Sequence, residues 1–283
     1  MKTGRQALIA VSDSRVEIGG VLGRGRGSVT YHAFDRERQE PVTIKIAHRP
    51  VATGRYSLDF RHPHVLPVYF HDRDERRGLE KTVRPLIEGT NLEKLITNLR
   101  PLGVRDRERL SGKELLTFIG HSALSLHQQE AKAFEQLNFP QAVALMGFQL
   151  AGALAAAHGE GLIHQNLKPT NILLDLEGRP HLTDFHTPHG LFPAVASIYE
   201  KADRFSLISL LWDLADGRIL RADSMSTLLR TEPKGSLSEK LLRFLHPEYF
   251  REGSGAELQE SMLDFLEAHA PVTLPSGETA LAR

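Results

Sequence analysis

Apolar positions come in short runs over the first third of the chain and then recur every three or four residues. That pattern predicts a strand-rich segment followed by a helix-rich one. Strands are predicted at 16–22 and 29–34, flanking a glycine-rich turn, at the β-branched run 42–47, and at 65–70 and 81–87. Polar, turn-like stretches at 35–41 and 72–78 separate them. From Asn91 onward the helical period dominates. In 141–158, Val143, Met146, Leu150, Leu154 and Ala157 share one face, and alanines add helix propensity. The strongly apolar 205–214 predicts a helix buried on most sides, and 256–268 places Leu258, Met262, Phe265 and Leu266 together. Short strands are expected at 162–163, 172–174 and 181–182. This order implies an α+β chain, with a small antiparallel β lobe over 1–89, a larger helical lobe over 90–270 and a loose tail over 271–283.

Composition narrows the function. The 283 residues are 41% hydrophobic and 25% charged, with 35 basic and 35 acidic side chains. That is an ordinary globular balance, with no net field to steer the chain to nucleic acid or an anionic membrane. Arg24, Arg26, Arg36 and Arg38 cluster in sequence and read as solvated surface residues. Without cysteine there is no thiol chemistry and no disulfide, which suits a reducing cytoplasm. Fourteen histidines are scattered rather than set in a zinc motif. The opening MKTGRQALIA lacks an apolar core, so no signal peptide is expected, and no uncharged stretch of about eighteen residues predicts a membrane span.

Three motifs carry chemistry. Gly23-Arg24-Gly25-Arg26-Gly27-Ser28 lies between two predicted strands, and Lys45 follows on the next strand in Val42-Thr43-Ile44-Lys45. Small residues let the backbone approach phosphates, which a lysine on the neighbouring strand could neutralise. A dinucleotide-binding loop would open a helix instead, and a Walker loop would end in Gly-Lys-Ser/Thr. Further on stand His164-Gln165-Asn166-Leu167-Lys168-Pro169-Thr170-Asn171 and Leu182-Thr183-Asp184-Phe185. In this order, with Arg61-His62-Pro63-His64-Val65 and Ala202-Asp203-Arg204-Phe205, they resemble the eukaryotic-type serine/threonine protein kinase family, in particular its bacterial branch.

The resemblance implies a bilobal fold and a site for ATP or ADP with Mg²⁺. Gly23, Gly25 and Ser28 would line the phosphate loop, and Lys45 would meet the α- and β-phosphates. Asn171 and Asp184 would hold the metal, and Leu86 lies in the hinge segment. Arg84 stands at the family's gatekeeper position, where it would pair with Asp184 or a phosphate, or fill the back pocket with its stem. The transfer machinery departs from the family. Asn166 replaces the catalytic aspartate, and an amide cannot act as that base, although Lys168 remains to neutralise a transferring phosphate. Gln165 replaces an arginine, and His186 a glycine. Only eighteen residues lie between Asp184 and Asp203, so the activation segment is shortened. The regulatory helix is shortened too, and no glutamate lies between Lys45 and His62, leaving Asp59 as the one acid there.

An insertion over 105–138 carries Leu115, Leu116, Phe118, Ile119, Leu124, Leu126, Phe134 and Leu137, which suit amphipathic helices. These either pack back on the large lobe or form a docking surface for a protein partner. The expectation is a nucleotide-binding pseudokinase acting as a scaffold or allosteric regulator, with an active kinase or its regulator as partner. The alternative is a weakly active or atypical serine/threonine kinase.

Overall fold

The computed structural model describes residues 15–25, 27–48, 54–55, 59–120, 128–185, 187–188, 192–217, 236–245 and 255–269. The chain divides into two compact units. One is drawn from Met1–Arg61 and Leu66–Leu86, the other from His62–Val65 and Ile87–Arg283.

The first unit is built on five antiparallel strands: β1 (Val16–Gly25), β2 (Ser28–Asp35), β3 (Glu40–His48), β4 (Phe70–Asp74) and β5 (Leu79–Pro85). Their spatial order is β1-β2-β3-β5-β4. Strict alternation decides which side is buried. Val42, Ile44 and Ile46 point to one face with Tyr31, Ala33, Leu79 and Val83, and these form the unit's core with Val16. Asp35 fixes the β2–β3 turn. Its buried carboxylate accepts hydrogen bonds from Arg15 at 3.0 Å and from the backbone N–H groups of Glu37 and Arg38. Burial pushes the Asp35 pKa up, but the Arg15 and backbone hydrogen bonds outweigh it and hold the carboxyl below its usual range. Arg38 then folds its guanidinium over the Tyr69 ring at 4.0 Å.

The second unit starts with β6 (Gly89–Asn91), which pairs with β7 (Ile172–Asp175); β8 (Pro180–Leu182) completes a three-stranded antiparallel sheet. Gly89 is required where it stands, because a Cβ there would fall 2.0 Å from the Leu174 carbonyl oxygen. The helices are α1 (Leu92–Leu99), α2 (Val104–Glu108), α3 (Gly112–Ile119), α4 (Gln128–Glu135), α5 (Phe139–Gly159), α6 (Pro193–Asp216), α7 (Leu237–Leu245) and α8 (Gly255–His269). Asn138 starts α5 with a reciprocal capping box to Gln141. Helix α5 is apolar nearly all round and packs against α6 and α8. It is long and apolar enough by composition to cross a bilayer, but 67% of its most apolar window is buried inside the protein, as befits a core helix.

Two elements differ from the sequence pattern. The strand expected at 65–70 begins only at Phe70 and runs to Asp74, through the first half of the expected turn 72–78. Its alternation of Phe70, Asp72 and Asp74 with His71 and Arg73 is polar on both faces, so hydrophobicity alone does not reveal it. Helix α6 starts twelve positions before the expected 205. The expected tail 271–283 lies outside the described residues.

Candidate functional site

Strand register assembles the candidate phosphate-facing residues on one side of the first sheet. Gly23 pairs with Thr30, Thr30 with Lys45, and Lys45 with Thr82. The next row is His32, Thr43 and Arg84, and the row on the other side is Ser28, Ala47 and Glu80. All of these point away from the apolar core by the period of two. Lys45 is half-buried, while Arg84 is 6% exposed and Glu80 also 6%. Glu80 is a site-face acid that the sequence reading missed. The signal was its place two residues before Thr82, which faces Lys45.

The glycine loop is tighter than expected. Strand β1 extends through Gly23 to Gly25, and β2 resumes at Ser28, which pairs with Gly25. The turn's unusual dihedral falls on Gly27, with φ at 85°, rather than on Gly23 or Gly25. The Gly27 carbonyl accepts from the His48 amide at 2.8 Å, tying the loop to the end of β3. Leu86 is half-buried and donates its N–H to the Pro41 carbonyl at 3.4 Å. Most of the expected regulatory helix lies outside the described residues; Asp59 is described and exposed.

In the second unit the chemistry gathers around Asp203. This carboxylate is 2% exposed and accepts the backbone N–H of His164 at 2.7 Å and that of Gln165 at 2.8 Å. His158 Nε2–H donates to it at 3.1 Å; a carboxylate can only accept here, which sets that tautomer. The segment it holds is bent, with Gln165 at a φ of 54°. The His164 ring is fully buried and lies 4.6 Å from that of Phe185, centroid to centroid. Burial lowers its pKa and keeps it neutral. Sequence reading placed Asp203 only at a helix start and did not foresee this clamp.

Both candidate metal ligands belong to this unit. The Thr183 N–H donates to the Asn171 carbonyl at 3.0 Å, so the backbone running into Asp184 passes beside that of Asn171. Asn171 is buried and its Nδ2 donates to the Asn166 carbonyl at 2.8 Å; its Oδ1 can only accept. Asp184 is half-buried with φ at 66°, a left-handed conformation costly for a non-glycine residue. Asn166 is half-buried and Lys168 is exposed. A carboxylate and an amide oxygen are hard donors of the kind Mg²⁺ takes. His186 lies outside the described residues.

Several apolar residues of the insertion, among the described ones, are buried. Leu115, Leu116, Ile119, Phe134 and Leu137 are all buried and Phe118 is half-buried, while Leu124 and Leu126 lie outside the described residues. Arg107 anchors it. This side chain is 1% exposed and donates to the carbonyls of Asp213 at 3.2 Å and Leu214 at 3.0 Å, at the C-terminus of α6.

Comparison with known proteins agrees with the motifs. The chain is 25% identical over 252 residues to the serine/threonine-protein kinase PknH of Mycobacterium bovis, a match that spans 77% of this chain and 36% of that protein. It is 26% identical over 182 residues to CBL-interacting protein kinase 16 of Oryza sativa, 60% of this chain and 32% of that one. It is 25% identical over 180 residues to the Aurora kinase of Schizosaccharomyces pombe, 60% of this chain and 40% of that one. The chain thus matches about a third of the length of these relatives. No family model matches it.

Proposed function

From the premise that this chain is a kinase-like member of the serine/threonine protein kinase family, we propose that it binds ATP or ADP with Mg²⁺ and works as a cytoplasmic scaffold or allosteric regulator, with little phosphoryl transfer of its own. The juxtaposition of Asn171 and Asp184 carries the binding half of this reading. Those two residues would hold the metal, and Lys45, on the same sheet face as Gly23 and Thr30, would neutralise phosphate charge. When bound, the metal would offset the negative charge of the phosphates.

Asn166 carries the other half. Its amide cannot take a proton from a substrate hydroxyl. The residues after Asp184 enter α6 at Pro193, which leaves little chain to shape a peptide-binding segment. A protein partner, an active kinase or its regulator, would then read nucleotide occupancy as a change in the chain's conformational equilibrium. The second reading, a weakly active kinase, is favoured by the intact Asp203 clamp, which keeps the His164–Asn171 loop in a built conformation.

Thermal unfolding with ATP, with and without Mg²⁺, tests binding by linkage. A specific binder gains stability, and the absence of any shift at millimolar ATP overturns the reading. A radiolabelled phosphate assay then separates the two readings. Transfer that Lys45→Ala and Asp184→Ala abolish supports the weak kinase; no transfer from a chain that binds nucleotide supports the scaffold.

A further inference from the structure

Glu80 stands deeply enclosed on the polar face of the first sheet. It is 6% exposed, and a glutamate is seldom so enclosed unless a cation or hydrogen-bond donors meet it. The strand register says which groups are near. Lys45 lies opposite Thr82. On its own face its cross-strand neighbours, direct or diagonal, are therefore Ser28, Thr30 and His32 on β2 and Glu80, Thr82 and Arg84 on β5. Of these only Glu80 is acidic. Diagonal neighbours in an antiparallel pair stand roughly 7–8 Å apart, within reach of two long side chains. Asp59, the one acid between Lys45 and His62, is exposed and belongs to no strand of this sheet.

Charge along β5 gives the pair a direction. Glu80 and Arg84 flank Thr82 at two residues on either side, so Lys45 has a carboxylate on one diagonal and a guanidinium on the other. Its ammonium is drawn towards Glu80 and pushed away from Arg84. Thr82 carries no charge, and its hydroxyl lies 3.3 Å from Nδ1 of His71, directly opposite on β4. Glu80 has a second cationic neighbour. Arg73, half-buried on the edge strand β4, stands directly opposite it. A carboxylate has two accepting oxygens and can serve both cations.

We propose that Glu80 is the positioning residue of Lys45: its carboxylate pairs with the ammonium and holds it over the sheet face where phosphates would lie. Both residues belong to the first unit. Only the consequence for a ligand rests on the nucleotide-binding reading; the pair itself does not.

A double-mutant cycle on the ligand-free full chain tests the pair, with Lys45→Met and Glu80→Gln read by urea unfolding. A coupling of at least about fivefold in the unfolding equilibrium is expected, and Glu80→Asp, which keeps the charge, should retain part of it. Calorimetric binding then separates positioning from packing. Glu80→Gln is expected to weaken ATP binding at least about fivefold and to add nothing in the Lys45→Met background. It should leave the affinity for adenosine, which has no phosphates, unchanged. Additive effects of Lys45→Met and Glu80→Gln overturn the proposal, as does coupling of Glu80→Gln to Arg73→Met alone. So does a Glu80→Gln chain that loses ATP and adenosine equally, or one that binds ATP as the wild type does. A wild type that binds no ATP overturns the nucleotide reading and with it the phosphate role, while the ligand-free cycle still decides the pair.

Discussion

Asp203 holds Gln165 in a left-handed backbone conformation: its Oδ1 accepts the Gln165 N–H at 2.8 Å while φ at Gln165 stands at 54°. The bend costs on the order of 1–3 kcal/mol at a non-glycine residue and persists only where the surroundings over-determine it. Here a buried carboxylate with three donors does so.

Asp203→Asn therefore releases the bend. The amide keeps the shape but loses the charge and sets an NH₂ against backbone N–H donors. The expected loss is about 2–4 kcal/mol of stability. Hydrogen exchange of the His164 and Gln165 amides should accelerate more than that of α5 amides, which a merely global loss would not produce. Unchanged exchange at those two amides would show that the clamp does not hold the loop.

Arg107 is a buried cation that ties the insertion to α6. Arg107→Ala leaves the carbonyls of Leu102, Asp213 and Leu214 without this donor and opens a cavity. A loss of roughly 2–4 kcal/mol is expected, read by urea unfolding. Arg107→Lys should recover only part of it, since one ammonium cannot reproduce the planar fork. Gly217→Ala should also destabilise, because its φ is 73° and a Cβ would lie 2.5 Å from the guanidinium.

The order of elements was legible because hydrophobic period reports burial directly: Val42, Ile44 and Ile46 alternate inward, and Val143, Met146, Leu150 and Leu154 recur on a helix. The candidate residues Asn166, Lys168 and Asn171 could be named from sequence because their motif is local, within six consecutive positions. What stayed hidden depends on residues distant in sequence. Asp203 lies 38 positions from Gln165, and Arg107 lies 107 from Leu214. A carboxylate that faces backbone amides looks like any surface acid in a sequence. The start of α6 was hidden for another reason. Phe192, Val195 and Ile198 do have helical spacing, but they are not buried within the chain, so they fall outside a search for core-facing helices.

The histidines at the edge of the second unit set an acid limit on stability. His64 is half-buried, and its Nδ1–H donates to the Pro180 carbonyl at 2.9 Å. Burial pulls its pKa from 6.5 down to about 4; the Pro180 carbonyl and Asp175 pull it up, and the neighbouring His181 and His62 push it further down. Above pH 6.5 the imidazole is neutral in both folded and unfolded chains and contributes no pH dependence. As pH falls from 6.5 towards 4 the unfolded chain binds the proton and the folded one does not, so stability declines. The decline amounts to at most roughly 3 kcal/mol. Urea unfolding at pH 7 and pH 4.5 should show it, and His64→Gln should reduce it, the remainder coming from His62 and His164, whose pKa values burial also lowers. Asp35 and Asp175 are held below the usual carboxylate range. Their contribution is therefore present above pH 3.8 and lost only below it, outside this window.

Asn171 offers the most direct separation of metal from nucleotide. Its Nδ2 supports the Asn166 carbonyl while its Oδ1 is the proposed metal donor. Asn171→Asp retains a metal-ligating oxygen but loses the donor to Asn166, whereas Asn171→Ala loses both. At a ligand concentration ten times its Kd, the wild-type chain gains about 1.4 kcal/mol from binding. With Mg²⁺ present, Asn171→Ala should lose most of that gain and Asn171→Asp should keep more of it. With Mg²⁺ withheld, the wild type and Asn171→Ala should respond alike to ATP. Thermal unfolding across these conditions reads the difference. If Asn171→Ala keeps the full Mg²⁺-dependent gain, the metal is held elsewhere and Asn171 serves only the loop.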